Sequence, residues 1–150
     1  MIALLFALAA QTAPAQTVQT PSAPMPAAPL TLAPIGRQQL PAKGCAAYLW
    51  SVADRQLVAM ATAEPATLRV SIGGRTLDLV RSGGTGTGRL GFPDGLEYRG
   101  QGITARLSMD VVQQEGLSAG ARVPTGSLQV DPPGGDGIVV PVAGLIGCAT

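Results

Sequence analysis

The chain has no histidine, a single lysine and only five aromatic side chains (two Phe, two Tyr, one Trp). Without histidine there is no Ser-His-Asp triad, no Cys-His pair and no imidazole metal ligand. The sole lysine, Lys43, lies in a stretch read below as a tether, which leaves a Ser-Lys dyad little support. Scarce aromatics imply a core built mainly from Val, Leu, Ile and Ala, each contributing about 1.5–3 kcal/mol or less when fully buried.

Charge is also scarce at the start of the chain, where Arg37 and Lys43 are the only charged side chains before Cys45. From Gly44 onward eight Arg meet nine Asp and Glu, a net of −1. A domain with no basic surplus cannot neutralise phosphates, so nucleic acid is excluded as an expected partner. Attraction to anionic lipid fails for the same reason.

No apolar run reaches the roughly 20 residues of a membrane-spanning helix, so no stable membrane span is expected. The segment from Ile2 to Ala10 is apolar but short, and small residues stand at signal-peptidase spacing, either Ala7-Leu8-Ala9 or Ala13-Pro14-Ala15 ahead of Gln16. Residues 1–15 therefore read as an export signal, and the expected compartment is periplasmic or secreted. Leu145-Ile146-Gly147-Cys148 spells a lipoprotein box, at the wrong end of the chain to be one.

What the chain does have is two cysteines, Cys45 and Cys148, bracketing its only globular-looking stretch. In an oxidising compartment one disulfide is expected, closing a loop of about 100 residues worth about 4.7 kcal/mol in the chain-entropy model. Two buried free thiols are the alternative. No Cys-x-x-Cys spacing supports a redox role, and oxidised cysteines leave no soft metal site.

Residues 16–43 are rich in Pro and Ala, with Pro21, Pro24, Pro26, Pro29, Pro34 and Pro41, and read as an extended, disordered linker. Residues 44–150 read as the disulfide-closed β-domain. Gly73-Gly74 predicts a type I′ hairpin, since both turn positions need positive φ. Its register sets Val70 opposite Leu77 and Leu68 opposite Leu79 on an apolar face, with Arg69 opposite Asp78 on a polar one. From Ile103 to Val111 five apolar residues alternate with polar ones, a period of two that excludes a helix. Leu96 and Tyr98 alternate just upstream, and Gly100-Gln101-Gly102 can turn between them.

Tyr48, Trp50 and Val52 share a face, expected to pack in the core beside the disulfide, with an exposed stacking platform as the alternative. Ile138 to Ile146 is nearly all apolar, so it is expected to be covered on both faces or to lie against another chain, with Pro141 marking an edge or bulge. The fold class that results is all-β: a small β-sandwich or closed β-barrel of about seven or eight short antiparallel strands.

The segment from Arg81 to Gly91 contains Gly-x-Gly-x-x-Gly at Gly86, Gly88 and Gly91, but Phe92-Pro93-Asp94-Gly95 follows as another turn. A dinucleotide fingerprint needs a helix there, so the segment reads as a surface loop and no cofactor is expected. Arg81, Arg89 and Phe92 are the candidate binding residues, two cations and an apolar side chain on one loop. The glycine-rich loop 131–137 is a second candidate contact; Asp131 and Asp136 lack calcium-loop spacing. Carboxylate catalysis would have to draw on Asp94, Glu97 and Asp110.

In outline the chain is similar to the periplasmic inhibitors of C-type lysozyme, small exported β-barrels whose termini are tied by a disulfide. Cys45, Cys148 and the strand-rich spacing between them carry that resemblance. The family's Ser-Gly-x-x-Tyr signature is not present, because Ser82-Gly83 is followed by Gly84-Thr85-Gly86. The expected function is non-enzymatic binding of an exported protein or an envelope component. Inhibition of a secreted hydrolase is the alternative, followed by a carboxylate-dependent hydrolase. Sequence leaves the oligomeric state open.

Overall fold

A computed structural model describes residues 29–150. The export signal expected over 1–15, and the linker over 16–28, lie outside the described residues. Nine strands follow in order: β1 (Leu32–Ala33), β2 (Cys45–Ser51), β3 (Leu57–Thr62), β4 (Thr67–Ile72), β5 (Arg75–Thr85), β6 (Gly95–Gly100), β7 (Ile103–Val112), β8 (Gly120–Asp131) and β9 (Ile138–Cys148). From β2 onward each strand runs antiparallel to the next, and β9 returns to pair with β2, from Cys45↔Cys148 to Ser51↔Val142. Both edges of every strand from β2 to β9 are thus occupied. The fold is an eight-stranded up-and-down barrel, not a sandwich, and closure leaves none of these strands as an edge.

The Gly73-Gly74 turn forms as expected, with φ of 56° and 78°. The register it sets is the expected one: Leu68↔Leu79, Arg69↔Asp78 and Val70↔Leu77. The apolar face points inward and is buried, while Arg69 Nε donates to Asp78 Oδ1 at 2.7 Å on the outside. In β7, Ala105, Leu107 and Met109 likewise point inward and Arg106, Ser108 and Asp110 outward.

Eight strands enclose a space about as wide as side chains can fill. Leu49, Leu68, Val70, Leu79, Leu107, Leu128, Val130 and Tyr98 fill it. The β2–β3 sector contributes Ala47, Ala59 and Ala61, small residues facing the larger ones across the barrel. The Cys45–Cys148 disulfide closes the seam between β2 and β9 at one end. Strand alternation puts the turn 63–66 and the loops 86–94 and 113–119 at that same end. The opposite end carries the tighter turns and the loop 132–137.

Three expectations change. Tyr48 and Trp50 point outward; β2 turns Cys45, Ala47, Leu49 and Ser51 inward. The reason is that the outer face of β2 is partly covered as well, so period two offered two apolar faces and the aromatic one is not the core.

The cover comes from the stretch read as a linker, and this is the second correction: residues 29–43 are not an extended tether. β1 pairs with β4 (Leu32↔Ile72, Ala33↔Ser71) just where the β3–β4 pairing ends at Ala59↔Val70. The Ile35 amide then donates to the Leu57 carbonyl at 2.9 Å, and its side chain is buried with Ala46 and Met60. Tyr48 Oη donates to the Gln39 carbonyl (2.9 Å) and Arg69 Nη1 to Gln38 Oε1 (3.0 Å), fixing the strap across the barrel wall. Leu30, Leu32 and Ile35 are apolar anchors whose effect is averaged away in a proline-rich composition.

Third, β9 is not covered on both faces. Its inward residues Val142 and Ile146 are buried, but Val139 and Leu145 are 62% and 53% exposed on the outside. Nor is it an edge, since β2 and β8 flank it; the irregularity falls in β8, where the register shifts between Val123 and Gly126.

Candidate functional site

The candidate residues Arg81, Arg89 and Phe92 come to the disulfide end, but not as one contact surface. Arg89 and Phe92 exchange backbone hydrogen bonds (3.0 Å each), turning the chain tightly through Leu90 and Gly91, both at positive φ. That turn drives Phe92 into the core at 1% exposure, where it plugs the barrel mouth. Phe92 is therefore no surface contact, because burying its ring is worth more than exposing it. Arg81 Nη1 makes a long hydrogen bond to the Gly91 carbonyl (3.4 Å), and Arg89 Nη1 one to Gln113 Oε1 (3.3 Å). Both arginines stay exposed and tie the plug loop to its neighbours.

Tyr98, in the same buried cluster as Phe92, is the largest fully buried side chain among the described residues. Burial pushes its phenol up to about 12, with Arg81's charge partly opposing. The folded phenol thus holds its proton where the unfolded one, with an ordinary value near 10, releases it. Stability is complete below about pH 10 and lost as pH rises toward 12, a fall of about 2–3 kcal/mol. Chemical denaturation between pH 9 and 12 checks this, and Tyr98→Phe is expected to remove that fall.

The concave ground is elsewhere, on the outer wall formed by β5 to β8. A hollow of about 410 Å³ is lined by Gly83, Gly84, Thr85, Gly95, Glu97, Arg106, Ser108, Ser127 and Gln129, with Leu96 and Leu107 below. A second hollow of about 430 Å³ adjoins it through Ser108 and Ser127, and adds Asp94, Asp110, Thr125 and Gly126. Together they form one trough across four strands. Register builds it: Glu97↔Arg106, Arg106↔Gln129 and Ser108↔Ser127 are cross-strand partners, so their outward side chains stand in rows. Glycines at the end of β5 and the start of β6 hold the floor low on that side.

One end of the trough is a polar network. Arg99 Nη2 lies 2.8 Å from Glu97 Oε1 and Arg106 Nε 3.4 Å from Glu97 Oε2, while Ser82 Oγ donates to Glu97 Oε1 at 3.2 Å. Arg106 also pairs with Asp131 (2.7 Å), which accepts from Gln129 Nε2 (3.0 Å). Desolvation pushes the Glu97 carboxyl upward, but Arg99, the Ser82 hydroxyl and Arg106 together outweigh it and hold the group below the usual range. Glu97 is therefore a fixed anion and cannot act as a proton donor near neutral pH. Of the three carboxylates considered for hydrolysis, only Asp94 and Asp110 share a hollow, and both are solvent-exposed. Among the described residues no three His, Cys, Asp or Glu converge on a point that could hold a metal.

The trough residues Glu97, Arg106, Ser108, Ser127 and Gln129 were not singled out from sequence as a binding set. The available signal was the outward half of each alternating strand, read across the register of four strands. The stretch 81–95 contributes Gly83, Gly84 and Gly95 to the floor and Thr85 to the lining, and 131–137 contributes Asp131 to the network. The chain matches no protein-family model, no curated protein and no solved structure. What is established is a small, disulfide-closed β-barrel domain in which no catalytic motif has been found.

Proposed function

We propose that this protein is an exported, non-enzymatic binding domain that receives an extended segment of a protein or envelope polymer in the trough on β5–β8. The observation that carries the reading is the pair of adjoining hollows, floored by glycine and lined with hydroxyl and carboxamide groups, a mutually paired ionic network at one end and the carboxylates of Asp94 and Asp110 at the other. Binding sites combine a concave surface with a few convergent polar groups, and this wall supplies both. The barrel interior, filled by Leu, Val and Tyr side chains, offers no comparable space at its centre.

Electrostatics narrows the ligand. Arg99 and Arg106 are engaged by Glu97 and Asp131, so the trough keeps no surplus cation for a phosphate backbone. A polar chain without acidic groups, able to exchange hydrogen bonds with Ser108, Ser127 and Gln129, fits that balance, since Asp94 and Asp110 in the second hollow have no ion-pair partner among the described residues. The apolar stretch at 2–10 and the cysteines bridged across neighbouring strands support an oxidising, extracytoplasmic compartment. A hydrolase inhibitor that plugs a cleft would use a protruding loop, and loop 86–94 folds back onto the core instead.

Filling the trough floor tests the proposal. A side chain added at Gly83 meets only Glu97 Cβ, at an ordinary 3.9 Å, so Gly83→Tyr is expected to fold normally while occupying the hollow. Captured from envelope extract and quantified by mass spectrometry, the partner is expected to fall at least tenfold on Gly83→Tyr relative to the unaltered chain. Equal recovery on both baits would overturn the reading.

A further inference from the structure

Three strands adjacent in the barrel wall, β3, β2 and β9, contain no charged residue, whereas each of β4 to β8 contains at least one. The strap at 30–40 covers the β3 side of this neutral sector, with Ile35 seated against Ala46 and Met60. The β9 side is left bare. There Leu145 stands opposite Tyr48 and Ala143 opposite Trp50, with Val139 and Val52 exposed further along. The only tryptophan of the chain thus lies on the outer wall, half-buried, and not in the core.

We infer that this face is where two copies of the chain meet. A two-fold interface sets a patch against itself, so any charge near the axis would confront its own like, and an uncharged patch avoids that penalty. A face shaped for a different protein has no such constraint and ordinarily carries charges that steer the partner and fix its register. A Trp at the centre of a patch is among the side chains that carry most interface energy, and Trp50, opposite Ala143 midway along β9, holds that place.

The rim agrees with a head-to-tail arrangement. Lys43 and Arg122 lie at the disulfide end with Glu64, a net of +1; Asp54 and Asp136 lie at the other end with Arg55, a net of −1. A two-fold axis perpendicular to the strands lays the positive end of one copy over the negative end of the other. Size sets the strength. An eleven-residue strand is about 36 Å long and the two strands beside the strap span about 10 Å, a footprint of about 350 Å² in projection. Stable interfaces bury about 800 Å² per partner, so the pairing is reversible and concentration-dependent.

Sedimentation velocity on the full chain, from micromolar to near-millimolar concentration, tests this together with the emission of Trp50. The mass is expected to rise toward twice that of one chain, with Trp50 emission shifting to the blue over the same range. Leu145→Glu, which lays a carboxylate over the acidic end of the other copy, is expected to stay at single-chain mass with unshifted emission and an unchanged thermal midpoint. Val139→Lys, at an exposed site toward the other end of β9 and facing the basic end of the other copy, carries the test should Leu145→Glu fail to fold. A wild-type chain that remains monomeric throughout overturns the inference, as does association of the folded variants at wild-type strength.

Discussion

Replacing Cys45 and Cys148 together with alanine is expected to lower the unfolding free energy by about 3–5 kcal/mol. The bridge joins residues 103 apart in sequence, nearly the whole of the described barrel. Chain entropy for a loop of that order amounts to about 4.7 kcal/mol, against a total of about 5–15 kcal/mol for a typical domain. Topology adds to the effect. Every other pairing around the barrel joins strands consecutive in sequence, and only β2–β9 brings distant parts of the chain together. The disulfide sits directly on that seam, where loop-closure entropy is greatest. The seam keeps its backbone pairing without the bridge, so the variant is expected to remain folded at room temperature but with little reserve. Urea unfolding reads the loss as a lower midpoint, and the slope is expected to rise because the uncrosslinked unfolded chain exposes more surface. A loss under about 1 kcal/mol would mean that strand pairing alone closes the barrel.

The second large effect belongs to Phe92. Truncation to alanine is expected to cost about 3–5 kcal/mol, as for other fully buried phenylalanines. The cost should also be local in its consequences. Phe92 is the anchor that holds loop 86–94 down on the barrel mouth, so its loss opens the mouth to water. Hydrogen exchange on Phe92→Ala is expected to accelerate across 86–94 while the outer rows of β7 and β8 keep their protection. Arg89→Ala, which removes only a long bond to Gln113, is expected to change stability by less than about 0.5 kcal/mol. If the two variants lose stability equally, Phe92 is not the plug.

The contrast between Phe92 and the Gly73-Gly74 hairpin marks what sequence can carry. The hairpin was legible down to its residue pairs because a two-residue turn with both φ positive leaves one register, and alternation then assigns the faces. The strand from Ile103 was legible for the same reason. Phe92, by contrast, lies among glycines and a proline with no periodicity around it, and its burial depends on a tight turn that only the folded barrel mouth completes. β2 misled because it is apolar on both faces, and what covers its outer face is a strap read as linker. The trough was illegible as a site for a different reason. Its residues are unremarkable outward positions of separate strands, and only the register of β6, β7 and β8 puts Glu97, Arg106, Ser108 and Ser127 into rows.

The proposed trough sets a partner against these same rows, and site-specific photo-crosslinking in the producing cell tests that most directly. A photoreactive amino acid is placed at Ser127, inside the trough, and in a second chain at Thr76, exposed on the outer face of β5 away from it. Irradiation is expected to give a discrete adduct from Ser127 and none from Thr76, with the Ser127 adduct suppressed by Gly83→Tyr. An adduct from Thr76 alone, or a Ser127 adduct indifferent to Gly83→Tyr, would contradict the trough as the contact surface.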